Sequence, residues 1–165
     1  METLHPSVDL GDVSLRLIMA VVVGLLIGVD REWRGKPVGI RTLALVSLGS
    51  ALICLATVHY SPLRADPNAI SRVVQGVIQG VMTGIGFLGA GAIVKGQTQE
   101  QAHGLTTAAT VWVTASLGIA CALATWAIVW IGVGLTLVVL VALRPVDAWF
   151  DRHRVELGGK SAKND

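Results

Sequence analysis

Acidic side chains are missing from most of this sequence: none falls at positions 33–65, 67–99 or 101–146. Positions 104–143 carry no formal charge of either sign, 40 residues in a row. A carboxylate inside an apolar span is the usual mark of an ion or proton path, so its absence weighs against a pump. No nucleophile, base and orienting group can be assembled into a set, which weighs against an enzyme. Cysteine is scarce as well. Cys54 and Cys121 lie inside separate apolar runs, which leaves no zinc site and no CxxC redox pair and fits small buried hydrophobes. A disulfide between them stays open if both lie near one membrane face. The net charge is only +2, and no basic patch is interleaved with aromatics, which excludes nucleic acid as a partner. Glu2, Asp9 and Asp12 stand where a secretory signal would carry bases, so the first apolar segment is expected to be retained.

What the sequence has in abundance is apolar residue: 53% is hydrophobic, 15% is charged and the mean hydropathy is +0.66. A bilayer's hydrocarbon core is about 30 Å thick and needs about 20 mostly apolar residues to cross as a helix. By that measure the chain is an all-α membrane protein with about five transmembrane helices, expected at 13–29, 39–58, 70–94, 104–120 and 124–143. The last two share the uncharged stretch, joined by a turn within 118–125. Arg16 sits near the outer end of the first span, from which its side chain can snorkel to the headgroups. Residues 1–12 and 144–165 are left as tails. Lys and Arg are retained on the cytoplasmic side. With the N-terminus periplasmic and the C-terminus cytoplasmic, ten bases fall inside and only Arg16, Arg64 and Arg72 outside. Trp33, Trp126 and Trp149 then fall near interfaces, and Trp112 and Trp130 read as packing residues in mid-membrane.

Three stretches stand out. In the third span Gly76, Gly80 and Gly84 recur every four residues, a small-xxx-small face for close helix contact in lipid. Gly24 and Gly28 repeat the spacing in the first span, so these two helices are candidates to pack backbone to backbone, and the same faces are compatible with a homodimer. The denser cluster Gly84, Gly86, Gly89 and Gly91 either serves packing or breaks the helix and exposes carbonyls to a cavity. Its formal G-x-G-x-x-G is no dinucleotide fingerprint, because it lies inside a span with no preceding strand; no cofactor is expected. In the loop 30–42, Asp30 and Glu32 accompany Arg31, Arg34, Lys36 and Arg41. The acids either pair with Arg31 and Arg41, present a partner-binding or ion-sensing surface, or coordinate a cation directly; no metal ligand set is assigned. In the fourth span Thr106, Thr110 and Thr114 share one face with Thr107 beside them. They either bond to preceding carbonyls and neighbouring helices or line a small cavity with Thr83, Gln75 and Gln79.

The blocks Gly24-Leu-Leu-Ile-Gly28-Val-Asp30-Arg31-Glu32, Gly39-Ile-Arg41-Thr42 with Leu45-Val-Ser-Leu-Gly49, Gly84-Ile-Gly-Phe-Leu-Gly-Ala-Gly91 and Gly104-Leu-Thr106-Thr107-Ala-Ala-Thr110-Val-Trp112 resemble the MgtC/SapB signature in order and spacing, over about residues 13–143. The resemblance implies five helices, a multi-pass place in the bacterial inner membrane, and a link to growth in low magnesium and to intracellular survival and virulence. It implies a regulator that binds membrane machines, notably the rotary F-type ATP synthase, rather than a magnesium carrier; a transporter or channel for magnesium or another small solute is the alternative. Its partners would be the lipid bilayer and other inner-membrane proteins. Some members carry Asn where this chain has Thr106, and many end in a soluble ACT-like domain for which 144–165 is too short, so a short form is expected.

Overall fold

The computed structural model describes residues 9–60, 67–94 and 101–143. Both expected tails, apart from residues 9–12, lie outside the described residues, as do Arg64, Lys95 and Trp149. Five helices account for the described chain: α1 (Leu10–Glu32), α2 (Ile40–Val58), α3 (Pro67–Val94), α4 (Gln101–Leu123) and α5 (Trp126–Ala142). Four of them, α1 to α4, are long and apolar enough to cross a membrane, and α5 has 17 residues.

Helix α1 is longer at both ends than hydropathy alone suggests. Asp9 caps it, its carboxylate accepting from the backbone N–H of Gly11 at 2.9 Å and of Asp12 at 3.4 Å. At the other end the charged Asp30, Arg31 and Glu32 do not stop it, because charge ends an apolar run but not a helix, and Arg31 in the last turn suits the helix dipole. The chain turns instead at Gly35, whose φ of 60° is the left-handed conformation glycine adopts without strain. Helix α3 begins with a proline, where no backbone N–H is needed. It then runs without interruption through 84–91, so the glycine cluster does not break the helix. The α4–α5 connection is confined to Ala124 and Thr125, and Gly118, expected at the turn, lies well inside α4.

Helix α4 is the centre of the bundle and packs against all four others. The core mixes small side chains, Ala20, Ala51, Cys54, Ala115, Cys121 and Ala122, with Val23, Val111, Val129 and Val133 and the larger Ile27, Leu43, Leu55, Ile85 and Leu117. Small residues let helix backbones approach closely, which is how packing is gained where lipid tails are as apolar as the protein interior. A Cβ built on Gly24 would lie 2.6 Å from Ala44 Cα, one on Gly28 would lie 2.6 Å from Ile40 Cα, and one on Gly118 would collide with the Ser47 carbonyl. The first pair therefore packs α1 on α2, not on α3 as the shared spacing suggested, because the short 33–39 connection brings α2 alongside first. Trp112 and Trp130 are half exposed on the bundle's outer surface rather than packed in its interior.

Candidate functional site

The strongest polar feature lies where the α1–α2 loop meets α4. Arg31 is 4% exposed, and its guanidinium donates four hydrogen bonds. Nε reaches the Val38 carbonyl at 3.2 Å and Nη2 the Pro37 carbonyl at 3.0 Å, which holds the loop. Nη2 also donates to Thr107 Oγ1 at 2.6 Å, and Nη1 to Thr110 Oγ1 at 3.2 Å, which fastens the loop to α4. The rigid fork of an arginine suits this, since it satisfies two loop carbonyls and two helix hydroxyls with one planar group. Val38 has φ 67°, a left-handed conformation in which a β-branched residue is strained by about 1–3 kcal/mol. The Arg31 bond to its carbonyl helps hold it there.

The two acids of the loop are engaged separately and neither forms a salt bridge to Arg31 or Arg41. Asp30 pairs with Arg34 one helical turn on, at 2.6 Å. Glu32 Oε2 accepts the backbone N–H of Ile40 at 3.3 Å and so caps the start of α2, occupying the space a side chain on Gly39 would need. A side chain at 39 would have to turn that carboxylate, the free end of a flexible side chain, away from the α2 N-terminus. Arg41 and Thr42 are exposed on the first turn of α2. Among the described residues no three His, Cys, Asp or Glu side chains come together to hold a metal ion.

The remaining predicted positions divide sharply. Gly89 faces Ala108, whose Cβ would be 3.2 Å from an added methyl, and Gly104 sits 3.0 Å from Ile93 Cα by the same measure, so these two seal α3 against α4. Gly76, Gly80, Gly84, Gly86 and Gly91 face open space, where an added Cβ would meet nothing within 4 Å. They do not pack against any of the described residues. On α4 the buried hydroxyls are Thr107, Thr110 and Thr114, while Thr106 is exposed. Thr110 donates to the Thr106 carbonyl at 2.7 Å and Thr114 to the Thr110 carbonyl at 2.8 Å. The cavity with Thr83, Gln75 and Gln79 does not form, because those three side chains are on the opposite, outward side of α3.

Arg16 is a second anchor whose role spacing does not reveal. It pairs with Asp12 at 2.8 Å, donates to the Cys121 and Ala122 carbonyls at 3.1 and 3.2 Å, and lies over the Trp126 ring at 5.5 Å. It thereby satisfies carbonyls at the C-terminal end of α4 that have no partner inside their own helix. The two arginines of α1 thus fasten both ends of α4, which runs antiparallel to it.

Apolar helices of spanning length, close-packed through glycine and fastened by two buried or half-buried arginines, define a helical membrane protein. Residues 17–149 match the MgtC family, and the chain belongs to that family. It is 39% identical over 159 residues to Protein SrpB of Synechococcus elongatus, an alignment covering 87% of this chain and 82% of that one. It is 38% identical over 109 residues to Protein MgtC of Salmonella typhimurium, covering 66% of this chain and 42% of that protein. An uncharacterized Synechocystis protein is 35% identical over 147 residues, 87% of this chain and 58% of that one. The chain therefore spans less than half the length of the Salmonella relative. No solved structure matches it.

Proposed function

We propose that this chain is a non-enzymatic, multi-pass protein of the bacterial inner membrane that restrains partner machines, the rotary ATP synthase among them, during adaptation to low magnesium and intracellular growth. In this reading the N-terminus is periplasmic, and the α1–α2 loop, with Trp33 and Arg41 exposed, is the cytoplasmic contact surface. The observation that carries it is the Arg31 lock. A loop held by four hydrogen bonds in a strained backbone is a preorganised surface, and its carboxylates are occupied by Arg34 and by the α2 N-terminus. Membership in a family that includes Protein MgtC supports the link to magnesium.

A magnesium path along the α4 hydroxyls is the weaker reading. Magnesium takes oxygen ligands, usually with one or two carboxylates, and gives up its waters reluctantly. The hydroxyls of Thr107 and Thr110 instead face the Arg31 guanidinium. A divalent ion about 4 Å from that charge would meet repulsion on the order of 8 kcal/mol at an effective dielectric of about 20.

The test is proton-driven ATP synthesis in liposomes containing ATP synthase with and without this protein. Wild type should lower the rate, and Arg41→Glu, which inverts an exposed charge without touching the core, should restore it. Unchanged synthesis would remove the partner assignment, and robust magnesium uptake into liposomes holding this protein alone would replace the regulator with a carrier.

A further inference from the structure

Helix α3 is the least buried of the four long helices, with 11% of its span buried against 56% for α4, and the composition of its open half is unlike a lipid-facing surface. The outward side of α5 is dominated by large apolar side chains, Ile128, Trp130, Ile131, Leu135, Val138 and Val139, with Ala127 and Gly134 its small residues and no amide among them. The outward side of α3 presents Gln75, Gly76, Gln79, Gly80, Thr83 and Gly84, with the exposed large side chains Val73, Phe87 and Leu88 among and beside them. Thr83 bonds to the Gln79 carbonyl at 2.8 Å, but neither glutamine amide has a hydrogen-bond partner among the described residues. Gln79 lies near the midpoint of the 68–93 span, where hydrocarbon offers an amide nothing to bond to.

We infer that this face is covered by a second copy of the same chain, α3 packed in parallel on α3 across a two-fold axis. An amide carries both donor and acceptor, so Gln79 is complementary to itself, which an acyl chain is not. Two copies inserted into one membrane share an orientation, which brings their α3 helices parallel and sets each glycine stripe opposite its equivalent. Glycines at four-residue spacing then admit backbone approach, and interhelical amide bonds hold the pair. Such pairs cross at about −40°, so helices touching at Gly80 have diverged by about 8 Å more at Arg72, eight residues away, and the two exposed cations are kept apart. The face is continuous with an open apolar groove of 720 Å³ between α2 and α3, walled by Leu45, Ile53, Val77, Gly80, Gly84 and Leu88, which the second copy would border.

The test is energy transfer between donor- and acceptor-labelled copies of the full chain in liposomes of decreasing protein-to-lipid ratio. Wild type should stay associated on dilution. Gly80→Leu should weaken association at least tenfold while leaving the thermal melt unchanged, because the site is open within the chain. Gln79→Leu, similar in bulk but without the amide, should weaken it as well. A wild-type chain that is monomeric at every ratio overturns the proposal and leaves the face to lipid or another protein's helix. Association that neither variant weakens overturns it too, since the dimer would then use another surface.

Discussion

Gly24 and Gly28 in α1 share their four-residue spacing with Gly76, Gly80 and Gly84 in α3, and the two stripes have opposite surroundings. In α1 each glycine has the backbone of α2 within van der Waals reach of an added Cβ; in α3 no atom lies within 4 Å of one. Spacing makes close approach possible in both. What decides is whether the chain supplies a neighbour. A seven-residue connection delivers α2 to α1, and Arg31 fixes that connection to α4, whereas the α3 stripe lies open, Gly80 and Gly84 on the edge of the α2–α3 groove and Gly76 with nothing described against it.

The contrast breaks most visibly at Gly28. Gly28→Leu must push Ile40 aside at the backbone, and backbone cannot rotate out of the way as a side chain can. The expected loss exceeds the usual 1–3 kcal/mol of overpacking, on the order of 4 kcal/mol or more. Folded protein recovered from membranes and its melting temperature are the readouts, and near-wild-type values would show that α1 and α2 are not in the close contact described here. Arg31→Met comes next. It preserves length and apolar stem but strands the Pro37 and Val38 carbonyls, at about 3 kcal/mol for the pair. Arg31→Lys should recover only part of this, because an ammonium cannot span the same four acceptors. Equal melting for Met and Lys variants would show that the fork geometry contributes nothing.

Much of this was legible beforehand, and the gaps share a cause. The number of helices, the α1–α2 loop and the threonine cluster of α4 follow from apolar run length and residue type. The partners of Arg31 do not, because Thr107 and Thr110 are 76 and 79 positions away and Asp30 and Glu32 are adjacent in sequence. Local pairing was the natural expectation, yet a helix's last turn points adjacent residues in different directions, and only Arg31 faces inward. The turn expected within 118–125 falls at the far end of that range, at 124–125, because Gly118 is needed inside α4, where it touches α2 at Ser47. The unbroken course of α3 was equally hidden, since intrinsic propensity places glycine against helix and only hydrocarbon, where backbone bonds have no competitor, restores it.

The smallest predicted effect tests the open stripe itself. Gly76→Ala adds a methyl group to a helix position with nothing around it, so packing within one chain should not change. Replacing glycine by alanine inside a helix removes backbone freedom from the unfolded chain and is worth about 0.5–1 kcal/mol in favour of the helix. The variant should therefore melt at the wild-type temperature or a few degrees above it when measured at protein-to-lipid ratios low enough to keep copies apart. At high ratios the added methyl would stand between two α3 backbones and the gain should vanish. A concentration-independent loss of stability would instead place a neighbour of the same chain against Gly76 and dissolve the distinction between the two glycine stripes.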